Sequence, residues 1–108
     1  MAYRARQIGV IKYGQFSDYL KTFKKLEEVC RARGWAESRL LSPVAGVGNE
    51  IVIEWEYPDL ATFQKEMDSF LADQEAFQLF RAGGQYFVEG SIRNELLEEV
   101  PMNFPGSD

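Results

Sequence analysis

Hydrophobic positions along this chain alternate between two periods. Residues 3–13 follow a two-residue beat, and Phe16–Ala32 follow a 3.6-residue beat. Residues 37–47 and Glu50–Tyr57 return to the two-residue beat on either side of the glycine-rich stretch Gly46-Val47-Gly48-Asn49. A helical beat runs through residues 60–80, and residues 87–97 close on alternation. Successive side chains on a strand take opposite faces, whereas those three or four apart on a helix share one. The order therefore reads β-α-β-β-α-β.

That order is the split βαβ plan of ferredoxin-like folds. It predicts an α+β domain with a four-stranded antiparallel sheet, strand order 4-1-3-2, and helices on one face. Helix one carries Phe16, Tyr19, Leu20, Phe23, Leu26 and Cys30 as its apolar stripe, with Lys21, Lys24, Lys25, Glu27 and Glu28 on the solvated arc. Gly14 suits a tight turn and Gly34 a left-handed helix end. Pro43 falls in strand two, which the topology places at an edge, where a missing donor is tolerated. The stretch around Gly46 and Gly48 reads as the turn of a hairpin. Strand three sets Ile51, Ile53, Trp55 and Tyr57 against the helices and Val52, Glu54 and Glu56 on the other side. Asp59 is placed to cap the second helix, and Asp73 to restart it. Gly90 within the last strand suggests a bulge or a close backbone approach.

Composition narrows the classes. At 108 residues with 45% apolar content, the chain makes one domain, residues 1–100, followed by an aperiodic tail, residues 101–108, in which Phe104 sits between two prolines. A net charge of −5 speaks against nucleic acid and against anionic membranes as partners. No apolar run reaches the roughly 18–20 residues of a membrane span. The start of the chain has no apolar signal core, and its single cysteine fits a reducing compartment. A cytoplasmic protein is expected.

Several features together resemble the dimeric α+β barrel superfamily, and within it NIPSNAP-like proteins. They are the strand ending at Tyr13-Gly14, the helix closed by Arg33-Gly34-Trp35, and Glu54-Trp55-Glu56-Tyr57-Pro58 before a second helix. The likeness runs over residues 4–98. It implies that two ferredoxin-like subunits bring their open sheet faces together and close a barrel with a cavity in each half. Members of the superfamily include cofactor-free monooxygenases of polyphenols, haem-degrading enzymes, lactone isomerases and proteins without known activity. A homodimer also follows from the residues, because the face left uncovered mixes Val52, Glu54 and Glu56, and such mixtures dress interfaces and pockets.

The chemistry is narrowed mainly by what is missing. The chain has no histidine, so Ser–His–Asp and Cys–His catalysis and histidine-ligated metals are excluded. Haem degradation through an axial histidine is excluded with them. No cofactor and no metal site is expected. Cys30, on the apolar stripe, reads as a small hydrophobe, and Phe63, Met67, Phe70, Phe77 and Phe80 read as core. The reading that emerges is a homodimer that binds a small, largely apolar molecule or serves as an assembly module. The alternative is a cofactor-independent monooxygenase or isomerase acting on a hydroxyaromatic or enol substrate. In that case Glu54 or Glu56 would be the base and Arg93 would hold the anion, with Arg39, Trp55 and Tyr57 as ligand-binding candidates.

Overall fold

The structure is a computed structural model and describes residues 2–103. Seven elements follow one another: β1 (Tyr3–Val10), α1 (Phe16–Ala32), β2 (Ser38–Leu41), β3 (Glu50–Tyr57), α2 (Leu60–Ala72), α3 (Gln74–Gly84) and β4 (Arg93–Glu98). The four strands form one antiparallel sheet in the order β2-β3-β1-β4, which is the α+β arrangement expected. The helices cover one face of it. The candidate Phe104 and the rest of the tail beyond residue 103 lie outside the described residues.

Local chemistry accounts for most boundaries. The Asp59 carboxylate accepts from the Thr62 N–H at 2.7 Å and the Asp73 carboxylate from the Ala76 N–H at 3.0 Å. Each satisfies an orphan donor at a helix start. Asp73 therefore divides the second helical stretch into α2 and α3. Gly14 and Gly34 hold φ of +81° and +74° at the two ends of α1, conformations that cost a side chain but not glycine.

Two boundaries differ from the sequence reading. Strand two ends at Leu41, so Pro43 lies in the following loop and the connection to β3 is longer than a tight hairpin. Proline has no N–H to give a ladder and restricts the residue before it, so pairing stops ahead of it. The last strand begins only at Arg93. Phe87 makes an isolated bridge to Ile11, then a turn closed by Ser91 N–H to the Val88 carbonyl at 3.0 Å interrupts the pairing. Gly90, at φ +78°, belongs to that turn. The Ser91 hydroxyl fills the gap by accepting from the Val10 N–H at 3.1 Å.

The core lies between sheet and helices. Ile11, Tyr19, Ile51, Ile53 and Phe87 are buried there together. Phe87 rests on Gly9, where a Cβ would stand 2.5 Å from two of its ring carbons. On α3, the buried Ala76 and Gly83 allow close approach to α1, with Tyr19 against Gly83.

Candidate functional site

Strand register divides the charged and polar side chains between the two faces. Arg39 pairs with Glu54, Glu54 with Arg6, and Arg6 with Glu95. Directly opposed residues share a face, so these four form a row of alternating charge across the open side. Arg4, Glu56 and Arg93 lie on the same side, with Ile8, Val52, Leu41 and Leu97 between them. Glu54 is the anchor of this surface. Arg6 Nε donates to it at 2.8 Å and Arg4 Nη1 at 3.4 Å, and Glu54 is 8% exposed.

A cavity of about 460 Å³ occupies the opposite side, between sheet and helices. Its floor is made by Ala5 and Gln7 of β1, Trp55 and Tyr57 of β3, and Asn94 and Leu96 of β4. Phe23, Leu26 and Cys30 of α1 form one wall, and α2 and α3 supply Phe63, Met67, Phe70, Phe77 and Phe80. The rings meet edge to face: Tyr57 with Phe63 at 5.3 Å, Phe70 with Phe80 at 5.5 Å and Trp35 with Phe70 at 6.2 Å. Such pairs favour this geometry through their quadrupoles. The helical aromatic residues read from sequence as core thus stand around open space.

Polar groups in the cavity are few. Gln7 is 7% exposed, and its amide makes no hydrogen bond to another described side chain or backbone group. It lines both the large cavity and a neighbouring one of about 120 Å³. Burial pushes the Tyr57 hydroxyl up to about 12, with Glu66 and Cys30 adding to the shift. The Cys30 thiol is pushed up to about 11, first by burial and then by Glu27 and Asp73. It therefore stays protonated at neutral pH, as an inert, half-buried thiol does.

The sequence-derived candidates separate accordingly. Trp55 and Tyr57 line the cavity, whereas Glu54, Glu56, Arg93 and Arg39 face the open side of the sheet. Glu27 corrects an expectation: it is not on a purely solvated arc but accepts from both the backbone and the hydroxyl of Ser38 at the cavity rim. Gln7, Glu66 and Asn94 were not singled out by sequence. A signal existed for Gln7, a polar residue on the inward set Ala5, Gln7, Gly9 and Ile11.

The backbone has close counterparts among solved structures. A NIPSNAP family protein from Agrobacterium tumefaciens superimposes with a TM-score of 0.76 at 17% identity, covering 96% of each chain. The chain has the fold of the NIPSNAP proteins. A NIPSNAP domain protein from Burkholderia xenovorans gives 0.73 at 21% identity, over 96% of this chain and 97% of that one. A protein described as an antibiotic biosynthesis monooxygenase gives 0.70 at 20%, over 94% of this chain and all of its own length. No family model and no curated protein matches the sequence. The NIPSNAP-like likeness is one of architecture, carried by the sheet order and the helix-covered face. Among the described residues, no helix is long and apolar enough to cross a membrane.

Proposed function

We propose that this protein binds a small, flat, largely apolar molecule between its sheet and helices, as a homodimer whose open sheet faces meet. The observation that carries the binding reading is the cavity of about 460 Å³, within the roughly 300–1,000 Å³ range of ligand pockets. An aromatic lining with a few polar groups, the Gln7 amide among them, is the composition such pockets have. The dimer takes its support from the open face, where apolar residues interleave with charges of both signs. A two-fold axis can set such charges against their opposites.

The test is titration with phenylnaphthylamine, a fluorescent dye that is neutral at pH 7. Saturable enhancement at one site per chain is expected, and Met67→Trp, which fills the cavity, weakens it at least tenfold. A linear, unsaturable response overturns the reading. Light scattering at micromolar concentration addresses the dimer, and a monomer there removes that part.

A second reading is a cofactor-independent monooxygenase or isomerase working on a hydroxyaromatic or enol substrate. It takes support from the cavity together with the fold shared with the monooxygenase. Glu54, Glu56 and Arg93 lie across the sheet from that cavity, so chemistry inside it would draw on Tyr57 or Glu66. Oxygen uptake with a panel of hydroquinones tests it, and no consumption above buffer rules it out.

A further inference from the structure

If the cavity is a binding site, as proposed above, its charged groups also say which ligands it prefers. Two carboxylates reach it from different helices. Glu66 of α2 accepts from the Ala36 N–H at 2.5 Å, and Glu27 of α1 from the Ser38 N–H at 3.3 Å and from the Ser38 hydroxyl. Both converge on the short segment that leads into β2. Among the described residues neither takes part in an ion pair. Arg6 is, among the described residues, the only arginine along the cavity wall, and its guanidinium is turned to the other face of the sheet, bonded to Glu54. Among the described residues the wall holds no lysine.

Two half-buried carboxylates at the edge of an apolar space leave negative charge there that no cation of the described wall balances. A backbone tether alone needs only a neutral acceptor, so the charge is in excess of that structural task. The field of these carboxylates extends inward: after burial, Glu66 contributes to the raised hydroxyl of Tyr57, and Glu27 and Asp73 outweigh Arg33 at the raised thiol of Cys30. Beside them stand Trp35, Tyr57, Phe63 and Phe70, whose ring faces attract cations. Gln7, more than nine-tenths buried and without a protein partner, leaves a donor and an acceptor free on the floor.

We infer that the ligand is an apolar amine: a flat hydrocarbon body lying among the rings, with its ammonium group held by Glu27 and Glu66. An alkylamine is protonated at neutral pH. It supplies the missing positive charge, whereas a carboxylate or phenolate of the same shape meets like charge.

Three probes of one shape decide the matter: naphthylethylamine, naphthylethanol and naphthylacetate. Binding is followed at pH 7 by quenching of Trp35 and Trp55, with calorimetry as a second readout. The amine is expected to bind at least about tenfold more tightly than the alcohol, and the acetate most weakly. In Glu27→Gln/Glu66→Gln, whose amide oxygens can still accept the two backbone N–H groups, the ratio of amine to alcohol affinity falls close to one. Circular dichroism verifies that this variant is folded. The inference is overturned if the alcohol matches the amine in the natural protein, or if the preference survives in the double variant. Failure of all three probes to bind sinks the cavity reading itself, and is told apart because the alcohol binds whenever the cavity accepts a ligand of either charge class.

Discussion

Arg6 Nε donates to Glu54 Oε2 at 2.8 Å, directly across the β1–β3 ladder. The pair stands in the middle of the uncovered face of the sheet, with Arg4 reaching the same carboxylate from the next row. Glu54 is thereby almost wholly enclosed by side chains of its own sheet.

Replacing Glu54 with leucine leaves two arginines side by side without their counter-charge. We expect a loss of about 1–2 kcal/mol, less than for a fully buried pair because both guanidinium groups keep partial contact with water. Glu56→Gln, at an exposed position that forms no ion pair among the described residues, should shift stability by no more than about 0.5 kcal/mol. Urea denaturation of the two variants side by side checks the contrast.

Gly9 carries the ring of Phe87 on its backbone. Gly9→Ala places a Cβ 2.5 Å from two ring carbons, so the ring or the strand must move. A destabilisation of about 1–3 kcal/mol is expected, as for overpacked cores. Phe87→Leu in the same background should cost less than it does in the natural protein. A double-mutant cycle by chemical denaturation measures that coupling.

Asp73 caps α3 and also accepts from Arg33 Nε at 2.9 Å. The Ala76 N–H, and after it the Arg33 guanidinium, hold its carboxyl below the ordinary value of 3.8; the Thr62 N–H does the same for Asp59. A carboxyl depressed in the folded state stabilises fully above its unfolded value and loses that contribution as pH falls through the folded one. Stability should therefore drop as pH falls below about 4. Asp73→Asn keeps an oxygen for the cap but cannot titrate, so its melting temperature should fall less steeply in that window. Thermal melts from about pH 7 to about pH 2 give the slopes.

Gln7 is a mostly buried residue whose amide faces the cavity and bonds to no other described group. Gln7→Met keeps the length of the side chain and removes the amide that faces the cavity, and is expected to change stability by no more than about 0.5 kcal/mol. The same change should weaken binding of naphthylethanol in the cavity, because it removes a donor and an acceptor from the floor. Denaturation midpoints and dye titration on one preparation report both effects. A Gln7→Met protein that binds naphthylethanol as tightly as the natural one refutes the account of this amide.

Local chemistry carries most of the element boundaries. Phe16–Ala32 and Glu50–Tyr57 begin and end where the period of the apolar positions changes, because face alternation and capping are properties of neighbouring residues. Asp59 and Asp73 are found at helix starts for the same reason. The sheet order followed from the sequence of elements, since few topologies join them without crossing. The early end of β2 and the late start of β4 were less legible. Their hydrophobic alternation continues past the point where Pro43 and the turn at Gly90 remove partners for the ladder.

The sequence by itself determined the element order, the helix caps and which residues of β3 share a face. Period and capping act over a few residues and need nothing from the rest of the chain. Only the tertiary structure decided that Trp55 and Tyr57 border open space, that Glu27 and Glu66 meet at one rim, and that Glu54 and Arg39 stand behind the sheet from them. Periodicity tells which way a side chain points but not how far the facing element stands away. That distance depends on α2 and α3 packing over the sheet through bulky rings, and it exists only once the whole domain has assembled.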